Sequence, residues 1–349
     1  MKNHNSIKEI LTPSNFSKIA DVIYSEFISY SEYKNKNIPE HIVLFKTKDY
    51  LFYKLINFEI KQNQTIFCNN LVLQDLFEHL SGFDQSLNLN LITHQTDELI
   101  TRDLYIKKPQ SINKWYSVNV EYECSDLIPL PLGLAQDFQD QYLTKDMISE
   151  VSKISKNTLE SNLYINFKIS TNYKEREILY KQFLNEDWAK IDFPNLSLTD
   201  YLNNINNASF ILAPWGNGVD SHRFWEALYL GKVPITKHHH TYKTAKHLPV
   251  LFVNDYSEIS KEILNNFIEN FKDSYSWEVL SIQYWHDLIK KDYKDSETTY
   301  VIKESLFNAY VNKFIFRSLM FLRSKNKILK FYLKQFKKIP RKIAGIIKQ

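Results

Sequence analysis

A chain of 349 residues exceeds one ordinary small domain, and a norm of about 100 to 200 residues per domain sets two as the working count. Hydrophobic residues make up 44% and aromatics 15%, through 22 Tyr and 23 Phe, so the chain can bury real cores. Two cysteines, Cys68 and Cys124, with no second Cys or His at ligand spacing, exclude a disulfide framework and a zinc site; the net charge of +4, less twelve Lys or Arg with no Asp or Glu from Ser305 to Gln349, leaves −8 on residues 1–304.

The two lone cysteines suit a reducing compartment, and the start, MKNHNSIKEILTPSNF, has no uninterrupted apolar core behind a basic end, which argues against a cleavable secretion signal. No apolar run reaches the roughly 18 residues of a membrane-spanning helix. His41 to Thr47 reads as a buried strand, Asp49 to Lys61 as a helix and Thr65 to Asn70 as a strand. Leu71 to Leu80 has helical apolar spacing, and Leu87 to His94 returns to strand. Alternation of this kind predicts a parallel sheet covered on both faces. WYSVNVEY (Trp115 to Tyr122) and LIPLPLGL (Leu127 to Leu134) follow, and Pro129, Pro131 and Gly133 mark the end of a first domain at residues 1–134.

A polar stretch at 135–160 reads as a linker. A second series fills 161–304: strand Leu163 to Ile169, helices Glu175 to Leu184 and Leu198 to Asn207, and strand Phe210 to Ala213. Helix Ser221 to Leu230, strands Lys232 to Thr236 and Val250 to Val253, and helix Ser257 to Phe271 complete it. The predicted fold class is therefore α/β, two Rossmann-like domains in tandem, followed by a basic tail at 305–349.

FILAPWGNGVDSHRFWEALYLGKVPI (Phe210 to Ile235) carries the chemistry. An apolar strand ends at Pro214, a loop with Gly216, Asn217, Gly218 and Asp220 follows, and a helix starts near Ser221. Open α/β sheets bind ligands at the carboxyl ends of their strands, and a Gly-containing loop entering a helix offers N–H groups and a positive dipole end to phosphate. His222 and Arg223 fall on the first turn, where a guanidinium can hold phosphate oxygens bidentately. Glu226, one turn on, can accept from ribose hydroxyls. The plainer alternative is a turn-forming pair of glycines followed by a solvated Arg–Glu pair.

The segment resembles the nucleotide-binding region of exostosin-like glycosyltransferases through Pro214, Gly216, Gly218, Asp220, Arg223, Phe224, Glu226, Ala227, Leu228, Gly231, Val233 and Pro234. Weaker likeness to bacterial and viral members of the same broad group extends from Leu91 to Ile259. Trp215 and Asn217 stand where exostosins often carry an extra basic residue. The resemblance implies the GT-B arrangement of two domains facing a cleft, an inverting transfer, and a UDP-linked sugar as co-substrate. A fucosyltransferase-like enzyme with a GDP donor and a non-catalytic scaffold with a degenerate nucleotide pocket are the alternatives.

No Asp-x-Asp occurs, so no metal or other cofactor is expected, and positive side chains and helix dipoles must neutralise the leaving group. Lys168 and Arg176, around the turn after the Leu163 strand, are candidates beside Arg223; ordinary surface charge is the alternative. The inverting transfer that the resemblance implies needs a base, which in a two-domain enzyme normally comes from the first domain. Asp97, with His94 second, falls just beyond a strand end, although Asp97 could equally cap the helix that follows. His238, His239 and His240 are too close in sequence to converge on one ion and read as a polar loop.

Beyond Leu306, Phe and Ile/Leu residues recur among the basic residues at roughly helical spacing, a cationic amphipathic pattern that favours an anionic membrane surface over nucleic acid, with docking on the acidic body as a third option. The expectation is a cytoplasmic glycosyltransferase, peripherally bound to the inner membrane face, that moves a sugar to a glycan or lipid-linked acceptor in surface polysaccharide synthesis.

Overall fold

The computed structural model describes residues 9–136, 138, 142–154, 158–271, 275–291 and 296–322. By internal contacts the chain divides into two units, one of residues 1–26 and 59–300, the other of residues 27–58 and 301–349.

The first unit holds two five-stranded parallel sheets. One takes its strands in chain order: Val22–Ile23, Thr65–Asn69, Leu89–His94, Ile112–Ser117 and Leu127–Pro129. Thr65–Asn69 is buried at every position, as a strand covered on both faces must be. After it, the Asn69 side chain accepts from Leu71 N at 2.9 Å and turns the chain into the helix Leu73–Leu80. Leu73, Leu76, Phe77 and Leu80 form that helix's buried stripe.

The other sheet has the order Ala189–Ile191, Leu163–Ile165, Phe210–Leu212, Val233–Lys237, Leu251–Val253. Counted along the chain this is 2-1-3-4-5, so connections wind in opposite directions on either side of Leu163–Ile165 and Phe210–Leu212. The pleat separates its side chains. Leu163, Ile165, Phe210, Leu212, Val233 and Ile235 share one apolar cluster with Phe183 and Leu264, from helices Tyr173–Phe183 and Lys261–Glu269. Tyr164 and Ile211 point the other way, into a cluster that also contains Leu11, Phe67, Ile92, Tyr116, Leu130, Trp225 and Trp285. One core thus joins the two sheets.

In the second unit, the strand Ser25–Ser29 brings the chain in, and the sheet order is Ser25–Ser29, Tyr50–Leu55, His41–Lys46, with the last two antiparallel. A helix at 306–322 lays Ala309 and Phe316 inward, the latter with its ring 5.6 Å from that of Phe52. Lys54, wholly buried, pairs with Glu304 at 2.9 Å.

Several expectations need correction. Asp49 to Lys61 is not a helix but the strands Tyr50–Leu55 and Asn57–Lys61. The latter alternates buried Phe58 and Ile60 with exposed Glu59, and the former is an aromatic-rich run with no polar face; short apolar runs fit both periods. His41–Lys46 consequently lies in an antiparallel sheet of the second unit rather than in a parallel one. The stretch 135–160 contains the helix Lys145–Ile154. Ser257 to Phe271 divides into a 3-10 turn, Tyr256–Glu258, and the helix Lys261–Glu269 capped by Ser260. Of the tail at 305–349, residues from 323 lie outside the described part. Among the described residues no helix is long and apolar enough to cross a membrane.

Candidate functional site

Where the winding of the second sheet reverses, a crevice must open beyond the carboxyl ends of the two strands involved. A cavity of about 320 Å³ occupies that position. Asn166, Phe167 and Lys168 enter its wall from the end of Leu163–Ile165, and Ala213 and Pro214 from the end of Phe210–Leu212. Ser221, His222, Arg223 and Glu226 add the first turns of the helix His222–Tyr229, and Ala135 and Leu143 come from the segment between the sheets. The first sheet keeps its strands in chain order and has no such reversal.

Arg223 is the least satisfied group there. Its Nε and Nη1 are buried without a hydrogen-bond partner, and its guanidinium lies 5.2 Å from the centre of the Tyr201 ring. Ser221 Oγ, at the cap position of the same helix, is also buried and unpartnered, so the helix start lacks a side-chain cap. Glu226 is buried and accepts the Tyr201 hydroxyl at 2.5 Å. Burial pushes the Tyr201 phenol well above its ordinary range, so it stays a donor to that carboxylate. Lys168 is exposed at the wall. His222 Nδ1 donates to Gly133 O at 2.8 Å; a carbonyl can only accept, so the neutral ring carries its lone pair on Nε2.

Arg176 also lines the cavity, but its donors are committed. Nε donates to Trp215 O at 2.9 Å, Nη2 to Pro214 O at 2.7 Å, and Nη1 to Lys168 O at 3.1 Å and Thr171 Oγ1 at 2.7 Å. Burial, then the neighbouring Arg223 charge, lowers its guanidinium to about 10. It fastens the loops after both strands.

The glycines stand where there is little room for a side chain. A Cβ on Gly216 would stand 3.1 Å from Arg176 Nη2, and one on Gly218 would stand 3.0 Å from Asn119 Nδ2 and Oδ1 and 3.1 Å from Asp97 O. Asn217 is exposed, and none of Gly216, Asn217 and Gly218 lines the cavity. Asp220 is buried as a latch between the sheets. It accepts from Leu132 N at 2.9 Å, from Ser221 N at 2.8 Å and from Trp225 Nε1 at 2.9 Å, while its own N–H donates to Asn119 Oδ1 at 2.8 Å. Burial pushes its carboxyl up to about 7 against the pull of these donors. In this structure its contacts are with the protein itself.

Neither expected base reaches the cavity. His94 is fully buried, stacked on Phe16 with ring centres 5.0 Å apart. Its Nε2–H donates to Pro131 O at 3.1 Å and its Nδ1 accepts from Gln95 N at 2.8 Å, so no lone pair is left to take a proton. Burial lowers the imidazole to about 3. Asp97 is exposed and does not line the cavity; the next helix, Arg102–Tyr105, is capped by Thr101, so Asp97 is not its cap either. His238, His239 and His240 fan apart: His238 stacks on Phe252, His239 meets Trp215, and His240 lies 3.7 Å from Glu123. Among the described residues no three His, Cys, Asp or Glu gather where they could hold a metal ion.

Sequence reading missed Tyr201, Ser221 and Asn166. Ser221 had a visible signal, its place just before a helix start, whereas Tyr201 reads as one more apolar residue of the helix Leu198–Asn206. Asn166 sits one residue beyond Leu163–Ile165 and donates to Tyr164 Oη and Phe193 O, both at 3.2 Å. No family model matches this chain, and no curated protein does.

Proposed function

We propose that this chain is a metal-independent glycosyltransferase of the GT-B kind that takes a sugar from a nucleotide-sugar donor, a UDP-sugar first. The observation that carries the reading is the unpartnered Arg223 Nε and Nη1 beside the unpartnered Ser221 Oγ, at a helix N-terminus inside the switch-point cavity. Buried guanidinium N–H groups without an acceptor are costly, and a diphosphate supplies anionic acceptors for them. The helix dipole adds to the attraction. Lys168 contributes a second cation at the wall, and Glu226, held by Tyr201, accepts from ribose hydroxyls. At about 320 Å³ the cavity is at the small end of ligand sites, which span roughly 300–1,000 Å³.

In this reading the base is His222 rather than a residue of the first sheet. Gly133 fixes its tautomer and leaves Nε2 free to take the proton of an acceptor hydroxyl. The acceptor is a glycan or lipid-linked glycan of surface polysaccharide synthesis.

Thermal stabilisation by UDP, GDP and their sugars tests the donor site, because a ligand of the folded state alone raises Tm. A UDP-sugar should raise Tm in the native chain and not in Arg223→Ala. His222→Gln should keep that rise while transfer to an acceptor falls on the order of 100-fold or more. A rise with GDP-sugars alone changes the donor to a GDP-sugar. No rise with any nucleotide, or one unaffected by Arg223→Ala, overturns the proposal.

A further inference from the structure

The helix at 306–322 has two apolar faces, and only one is used. Phe316 meets Phe52 of the three-stranded sheet, Ala309 is buried, Arg317 Nε donates to Leu44 O at 3.0 Å, and Asn312 Nδ2 donates to Glu304 Oε1 at 2.9 Å, so the inner face is packed and pinned. The outer face presents Phe307 at 76% exposure, Tyr310 at 62%, Phe314 at 73% and Leu319 at 54%, with Val311 and Ile315 beside them. Aromatic and aliphatic side chains this exposed, along one side of one helix, form a larger apolar strip than a solvated surface ordinarily carries.

Charge selects what covers the strip. Lys313, Arg317 and Lys46 are close enough that burial first, and then the other two cations, lower the Lys313 ammonium. Arg323 to Gln349 adds ten Lys or Arg and no Asp or Glu, again interspersed with Ile, Leu, Phe and Tyr. A second copy on the same face would bring two such cationic segments together at a cost that grows with each pair. Nucleic acid matches the charge but has no use for so many exposed apolar side chains. A bilayer with anionic headgroups matches both: phenyl and alkyl groups enter the interface while lysines and arginines meet phosphate.

We propose that the outward face of this helix is a docking surface for an anionic lipid bilayer. It holds whatever the outcome for the nucleotide site. The full-length protein should sediment with phosphatidylcholine vesicles containing phosphatidylglycerol and not with phosphatidylcholine alone, and added salt should weaken the association. Phe314→Ser with Ile315→Ser, and separately Lys325→Gln, Lys327→Gln and Lys330→Gln together, should each reduce binding about tenfold or more, with thermal melts matching the parent to show intact folding. Three results overturn the proposal. They are no sedimentation with anionic vesicles, equal sedimentation with neutral ones, or a dimer in analytical ultracentrifugation that Phe314→Ser with Ile315→Ser disperses.

Discussion

Two buried ionisable residues, His94 and Asp220, pull stability in opposite directions with pH. Folded His94, held down at about 3, refuses a proton that the unfolded chain accepts near 6.5, so its contribution is full above 6.5 and is lost as pH falls toward 3. Folded Asp220, raised to about 7, keeps a proton that the unfolded chain releases near 3.8. Its contribution is full below 3.8 and is lost as pH rises through 7. Between about 4 and 6.5 the two slopes oppose each other. Relative to the native chain, His94→Gln should make Tm fall more steeply as pH rises through that window, and Asp220→Asn should make it rise more steeply. Melting curves at half-unit pH steps check this; unchanged slopes in both variants would show that the groups titrate as they do when unfolded. Sequence position alone could mark His94 as standing at a strand end, but not that Phe16, far earlier in the chain, seals it.

At the scale of elements, the loop after Phe210–Leu212 is held from outside itself. Arg176 binds the carbonyls of Pro214 and Trp215 from the helix Tyr173–Phe183, and Asn119 closes on Gly218 and Asp220 from beyond the strand Ile112–Ser117. Removing a buried guanidinium from such partners costs about 3 kcal/mol, because the carbonyls stay buried and unpaired. Arg176→Met should therefore lower Tm clearly in the absence of any nucleotide. Arg223→Met, which removes buried N–H groups without hydrogen-bond partners, should leave the ligand-free Tm unchanged or raised. Equal losses in the two variants would contradict this division between clamp and binding residue.

The helix with Arg223 and Glu226 was legible because its apolar residues keep a helical period after a Gly-containing loop. The work of the glycines was not legible, since the side chains that need their space, Asn119 and Arg176, lie about 100 and 40 residues away. The strands Tyr50–Leu55 and Asn57–Lys61 were hidden for another reason. Apolar residues at Leu51, Leu55 and Phe58 mimic helical spacing, and only the sheet partner decides.

Across the whole molecule, the parallel sheets are joined by a shared core and by polar contacts. Tyr229 Oη, from the second sheet's helix, accepts from Leu11 N at 2.8 Å, and Thr241 Oγ1 donates to Val120 O at 3.1 Å. The apolar cluster that takes Ile92 and Tyr116 from one sheet and Tyr164 and Ile211 from the other cannot lose either without exposing the remainder. Hydrogen exchange should therefore give Thr65–Asn69 and Leu89–His94 the same highest opening free energy as Phe210–Leu212 and Val233–Lys237, to within about 1 kcal/mol. Early exchange of one sheet while the other stays protected would show independent domains. Two parallel α/β series could be foreseen from alternating apolar runs, but their union could not, because its contacts join residues more than 100 positions apart.

The chain enters its second unit at Phe27, leaves after Phe58 and returns only at Val301. During synthesis the strands His41–Lys46 and Tyr50–Leu55 must wait for more than 240 further residues before Glu304 arrives to neutralise Lys54 and Phe316 to cover Phe52. At about 5–20 residues per second that interval is on the order of 10 to 50 seconds. Until then the sheet lacks Glu304 and its cover, so this small unit matures last although it is begun almost first. A ribosome stalled anywhere between Glu59 and Tyr300 would carry its half-built sheet as the part of the nascent chain in need of a chaperone.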